Sequence, residues 1–112
     1  VKSPLLNRLL TLEAPTRAED GAGGATLGWT PLGAHWAELR STSAREGVAG
    51  GVEASAVTHR ATLRWAPFDA PSRPTAQQRF REGRRVFDIL GVTEADPRNA
   101  HLHVWLREGA PL

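Results

Sequence analysis

Residues 57–65, Val57-Thr58-His59-Arg60-Ala61-Thr62-Leu63-Arg64-Trp65, alternate strictly in character. Val57, His59, Ala61, Leu63 and Trp65 fall on one side of an extended chain; Thr58, Arg60, Thr62 and Arg64 fall on the other. Side chains of a strand point alternately to its two faces, so this spacing makes one apolar and one polar face. A 3.6-residue period would scatter the arginines around a helix axis. The stretch predicts a central strand with its apolar side on a core and its polar side toward water or a partner.

Strand signals recur outward from there. His101 to Glu108 alternates, with Leu102, Val104 and Leu106 opposite His101, His103, Trp105 and Arg107. Arg8 to Ala14 places Leu10, Leu12 and Ala14 opposite Leu9, Thr11 and Glu13, and Pro15 is expected to end that strand. Thr16 to Gly24 is turn chemistry, since Asp20-Gly21 and Gly23-Gly24 favour positive φ. Ala25 to Thr30 reads as a second strand, carrying Leu27 and Trp29. Pro31 and Gly33 interrupt it as a bend or bulge, and Ala34 to Arg40 continues as a third extended segment with Trp36 and Leu39. Arg79 to Gly91 reads as a hairpin turning at Glu82-Gly83. In its second arm Phe87 and Ile89 share one face and Val86 and Leu90 the other, which predicts burial on both sides. Asp96-Pro97-Arg98-Asn99 is a further turn. Pro67, Pro71 and Pro74 mark residues 66–78 as an irregular surface connection.

Residues 41–55 differ from all of this. Ser43-Ala44-Arg45-Glu46 fits a capping box, with Ser43 as N-cap and Glu46 at N3. Gly47, Gly50 and Gly51 stop any helix within a turn or two. The segment reads as a long exposed loop, and such loops in compact domains are functional or disordered. The expectation is one domain over residues 1–112: mainly β, a small barrel or sandwich of five to seven antiparallel strands. Residues 1–7 form an N-terminal arm, and the one long loop carries at most a short helix.

Composition narrows the chemistry. The chain has 112 residues, 40% hydrophobic, enough for one modest core. It holds no Cys, which excludes disulfides, thiolate metal sites and a Cys nucleophile. No apolar run reaches the roughly 20 residues of a membrane-spanning helix, and the N-terminus shows no signal-peptide core. The isoelectric point of 10.4 reflects arginine, whereas the net charge is only +2, a weak field for non-specific nucleic-acid binding.

No constellation of residues points to catalysis or a cofactor. Gly21, Gly23 and Gly24 resemble a phosphate loop, but the G-x-G-x-x-G spacing meets Thr26. His101-x-His103, with His59 as a third ligand, has no predictable carboxylate nearby, so no metal is expected. There is no G-x-S-x-G elbow. Two features point outward instead. Arg79, Arg81, Arg84 and Arg85 concentrate charge on one hairpin, either as a solvated edge or as a contact for acidic surfaces or DNA phosphates. Trp105 lies on the polar face of the last strand among His101, His103 and Arg107. It reads either as an interface anchor or as a side chain folded under the long loop.

The order of these features resembles a known family. A strand RLLTLEAP leads to a Gly-rich turn and Trp29-Thr30-Pro31; then come Trp36-Ala37, a Ser/Gly-rich loop with Glu46, and THRATLRW. The hairpin RRVFDILGV and a closing LHVWLRE complete the set. This is similar to the bacteriophage head–tail joining proteins, also called head-closure or stopper proteins, over residues 8–108. The longer Pro-rich connection at 66–78 departs from the usual pattern.

The resemblance implies a structural β-barrel subunit without catalysis, in a virion or a phage-like particle such as a gene transfer agent, assembled in the bacterial cytoplasm. It implies a homo-oligomeric ring, a hexamer or dodecamer, between a portal or adaptor ring and the tail terminator or other tail proteins. It also implies a loop toward the central channel, by position Ser43, Arg45, Glu46, Gly47, Gly50 and Gly51, past DNA that is not read by sequence. The interface candidates are Arg79, Arg81, Arg84, Arg85, His101, His103, Trp105 and Arg107. The alternative reading is a small basic barrel that binds nucleic acid.

Overall fold

A computed structural model describes residues 3–42 and 56–112. Six strands run in chain order: β1 Arg8–Glu19, β2 Ala25–Ser41, β3 His59–Arg64, β4 Arg79–Glu82, β5 Arg85–Glu94 and β6 His101–Glu108. They close into a barrel in the order β1-β2-β3-β6-β5-β4, and every neighbouring pair is antiparallel. Within the barrel, closure gives each strand two neighbours and removes the open edges on which other chains could pair. No α-helix occurs among the described residues.

The core follows from the alternation. Leu10, Leu12, Ala37, Ala61, Leu63, Phe80, Phe87, Ile89, Leu102, Val104 and Leu106 form one buried cluster, drawn from all six strands. Leu39, Trp65 and Val92 pack against it. Burying each large apolar side chain contributes about 1.5–3 kcal/mol. Residues 57–65 supply the central wall as expected: Val57, Ala61 and Leu63 are buried, and the strand pairs with both β2 and β6. Its regular part is shorter than the alternation, His59–Arg64.

Several boundaries depart from expectation. Pro15 does not end β1, which runs to Glu19. Pairing with β4 stops at Glu13, so beyond it β1 has only β2 beside it. Pro15 thus sits in a two-stranded ribbon, where a missing N–H is tolerated. The second and third extended segments are one 17-residue strand. Pro31 and Gly33 flank a bulge inside it, since Leu12 faces Gly33 while Glu13 faces Pro31, leaving Leu32 as the extra residue. The hairpin turn falls one residue later than expected: Glu82 pairs with Arg85 around Gly83-Arg84, and Gly83 supplies φ +60°. β5 continues past Gly91 to Glu94, with a bulge between Ile89 and Gly91. Its first half is buried on both faces, Val86 as well as Phe87. The chain's end covers Val86 through Gly109 N–H to Val86 O, 2.9 Å, and Leu112 N–H to Arg84 O, 2.9 Å.

Candidate interaction surfaces

The two ends of the barrel are built differently. At one end each inward-facing row finishes in a charged or polar residue. Arg8 precedes Leu10, Glu82 follows Phe80, Arg85 precedes Phe87, Glu108 follows Leu106, and His59 precedes Ala61, each with the same parity as its apolar neighbour. Arg8 Nε donates to Glu82 at 2.6 Å. Arg85 donates to Glu108 through two nitrogens and lies 3.8 Å from Glu82. His59 Nε2 is 3.9 Å from Glu108, and its ring stands edge-on to Phe87. These side chains form an alternating charge belt across the mouth. Hydrogen bonding to Arg8 holds the Glu82 carboxyl below its usual range, and hydrogen bonding to Arg85 does the same for Glu108. Burial pushes the His59 imidazole down.

The β2–β3 connection leaves from this end. Its neck is fixed by Thr42 N–H to Thr58 O at 2.9 Å and by the Thr42 hydroxyl to Val57 O at 3.2 Å. The expected channel-loop residues Ser43, Arg45, Glu46, Gly47, Gly50 and Gly51, with the capping box, lie outside the described residues.

At the opposite end the β3–β4 connection must cross the barrel, because β3 and β4 are not neighbours. It acts as a lid. Pro74 is fully buried, and Arg73 is buried with its Nη1 donating to Ala66 O at 2.9 Å and its guanidinium 4.0 Å over Phe68. Beneath it His35 stands edge-on to Phe80; burial lowers the His35 pKa. From the same end the β1–β2 ribbon projects beyond the barrel, from Ala14 opposite Thr30 to Glu19 opposite Ala25. Its tip is tied by Asp20, whose Oδ1 accepts the N–H groups of Ala22 and Gly24 at 2.8 and 3.1 Å. The molecule is accordingly long, 55 × 28 × 27 Å.

The outer wall carries some of the exposed apolar groups; Leu5, Phe68 and Leu112 are exposed outside the strands. Trp36 and Leu9 face each other across β1 and β2 and are 56% and 48% exposed. Leu27, Trp29 and Leu32 are exposed along the arm and its base. Farther along β2 the wall turns polar. Glu38 pairs with Thr62 and Thr62 with His103; Arg40 pairs with Arg60 and Arg60 with Trp105. A cavity of about 710 Å³ opens over these rows. It is flanked by the N-terminal arm at Ser3 and Pro4 and by the Asp96–Arg98 turn. The arm is held by Leu5 N–H to Glu38 Oε2 at 2.9 Å.

The expected interface residues therefore separate into groups. Trp105 is only 5% exposed and donates its indole N–H to Thr93 Oγ1 at 3.1 Å, so it is not an exposed anchor. Thr93 belongs to the part of β5 beyond Gly91 that the alternation did not predict. The four hairpin arginines do not form one patch. Arg79 Nε donates to Glu13 at 2.7 Å, beneath the Trp29 ring at 4.1 Å. Arg81 donates to Gly83 O, Arg84 to Leu112 O, and Arg85 joins the charge belt. Arg107 lies 3.5 Å from Asp88. His101 lies 3.7 Å from Asp96, and His103 is half-buried beside it, its pKa lowered by burial and then by Arg60. Trp36, which the sequence placed only in a strand, is instead exposed, as are Trp29 and Phe68.

No group of His, Cys, Asp and Glu with metal-binding geometry occurs among the described residues. What the described residues present is a closed barrel with distinct ends, a projecting ribbon and a wall that is apolar at Leu9 and Trp36. The chain belongs to the phage head completion protein family, whose model matches residues 1–109. It is a structural component of a virion head. A chain in a solved virion of a native gene transfer agent particle is 40% identical, with a TM-score of 0.74 over 98% of this chain and 100% of that one. Protein SF1141 from Shigella flexneri 2a shares the fold, at 23% identity and a TM-score of 0.75 over 98% of each chain. Among curated proteins nothing matches.

Proposed function

We propose that this chain is a connector subunit that forms a ring between the portal or adaptor and the tail of a phage-like particle. In this reading residues 41–55 lie toward the channel through which DNA passes. The observation that carries it is the exposed Trp36–Leu9 pair in the middle of the barrel wall of a head completion protein. A solvent-facing Trp beside a Leu is costly to leave wet and is enriched at protein contacts. Identity of 40% to a chain of a gene transfer agent virion supports a particle of that kind. The neck at Thr42 and Thr58 starts the long connection from the charged end, away from the projecting ribbon. Each subunit thus has two unlike ends for two unlike neighbours. Against the nucleic-acid-binding alternative, Arg79 and Arg85 are engaged by Glu13 and Glu108 within the chain, whereas Arg81 and Arg84 donate to backbone carbonyls.

The test is complementation of a producer strain lacking this gene. The natural chain restores tailed, DNA-retaining particles and is found in them. Trp36→Ser leaves the barrel folded but yields heads without tails. Full complementation by the Trp36→Ser/Leu9→Ser double variant, or purified tailed particles lacking the protein, would overturn the proposal.

A further inference from the structure

We infer that the cavity on the β2–β3–β6 wall is a docking site for an acidic side chain carried on a segment of another protein. The inference rests on which charges in the cavity are already satisfied. Its two acids are committed within the chain. Glu38 takes the Leu5 N–H and the Arg40 guanidinium, the latter at 3.1 Å. Asp96 takes the N–H groups of Arg98 and Ala100 and faces His101. The cations are not matched in the same way. Arg60 has its Nε buried without a hydrogen-bond partner among the described residues. It makes no ion pair within 4 Å among the described residues, and neither does Arg98. Arg60 is also held in place, its guanidinium 5.9 Å from the centre of the Trp105 ring, and Trp105 is itself fixed by Thr93. A positioned, half-buried guanidinium without a carboxylate offers free N–H donors to one.

The surroundings favour a polypeptide over nucleic acid. Glu38 and Asp96 stand in the cavity wall and would repel a track of phosphodiesters, whereas a single carboxylate can sit between them against Arg60. Trp36 lies two residues before Glu38 on the same face of β2, so an apolar group next to the acid would meet an apolar surface. Nucleic-acid backbone offers nothing to that part of the wall.

The experiment titrates the full-length chain, followed by NMR, with a blocked peptide of repeating Glu-Ala. A thymidine oligonucleotide of equal charge is titrated in parallel. The peptide is expected to move the Arg60 Nε–H and Trp105 indole resonances. Arg60→Gln is expected to weaken binding by about tenfold or more, the loss of one charge-assisted contact. Arg98→Gln, in an exposed turn that leaves the barrel intact, weakens it several-fold, and Arg64→Gln, outside the cavity, leaves it unchanged. Absence of any shift at millimolar peptide would overturn the inference. So would natural-strength binding by both Arg variants, or oligonucleotide binding at these residues as tight as the peptide's.

Discussion

Arg85 on β5 grips both carboxylate oxygens of Glu108 on β6, Nε to Oε2 at 2.8 Å and Nη2 to Oε1 at 3.0 Å. The last register pair between these strands is Phe87 with Glu108, so the fork ties the barrel mouth just past the end of the ladder. Both side chains are partly exposed, which limits the gain to about 0.5–1 kcal/mol. Glu108→Gln is expected to lower the melting temperature by roughly 2–5 °C. The difference should shrink in high salt, because screening weakens the pair in the natural chain. Melting curves at low and high ionic strength check it; an identical melting temperature for the two chains at low salt would refute the role.

The same belt sets the acid limb of stability. Glu82 and Glu108 are both held below the ordinary carboxylate range, first by hydrogen bonds to Arg8 and Arg85 respectively. A carboxylate with a depressed folded pKa contributes fully above its unfolded value, about 4.3. That contribution is lost as pH falls through the folded value. Stability should therefore begin to drop near pH ~4. Glu82→Gln should make the drop shallower while lowering stability at neutral pH, as urea titrations at several pH values would show.

His35 works in the same direction at higher pH, although there the fold favours the uncharged form. It lies under the lid against Phe80, and burial lowers its pKa. The unfolded chain takes up its proton more readily, so stability is full above the unfolded value near pH 6.5 and is lost as pH falls toward the folded value. Replacing His35 with Gln should flatten the stability profile between about pH 6.5 and pH 5. An unchanged slope in that window would place the titration elsewhere, His59 and His103 being the other imidazoles with lowered values.

Gly83 holds φ +60° in the β4–β5 turn, and a Cβ there would touch nothing within 4 Å. Gly83→Ala thus isolates backbone strain from crowding, and is expected to cost about 1–2 kcal/mol. Gly109 offers the same open space without the positive φ, so Gly109→Ala should be close to neutral. Equal effects of the two substitutions in chemical denaturation would refute the strain argument.

Thr93→Val removes the acceptor of the buried Trp105 indole N–H. An unsatisfied buried donor costs about 1–3 kcal/mol, and Thr93→Ser should restore most of it. The Trp105 indole proton should exchange faster in Thr93→Val than in the natural chain; equal exchange would count against the bond.

Strict alternation made β3 and β6 legible, and both lie where their rows of Ala61, Leu63 and Leu102 to Leu106 put them. Pro15 misled because a proline rule for central strands was applied to a strand that outruns its second neighbour, a fact only the β1–β4 register reveals. Trp105 misled for a similar reason. Alternation puts it on the outer face, yet there it is nearly buried, and its indole N–H is bonded to Thr93 on the part of β5 beyond Gly91. The charge belt was latent in the sequence, since each inward row ends in a charged or polar residue. Recognising it required knowing which row ends share one mouth. The pairing of Arg79 with Glu13 and of Arg85 with Glu108 likewise depended on topology rather than spacing.

The bulge at Leu32 and Gly33 is the joint at which the ribbon meets the barrel wall, because pairing with β4 ends at Glu13 on the opposite strand. The ribbon beyond it, about six residue pairs long, reaches roughly 20 Å. A reorientation of about 10° at that joint therefore sweeps the tip through roughly 3–4 Å with no change in the core. The direction of the ribbon and the stability of the barrel are therefore set by different residues.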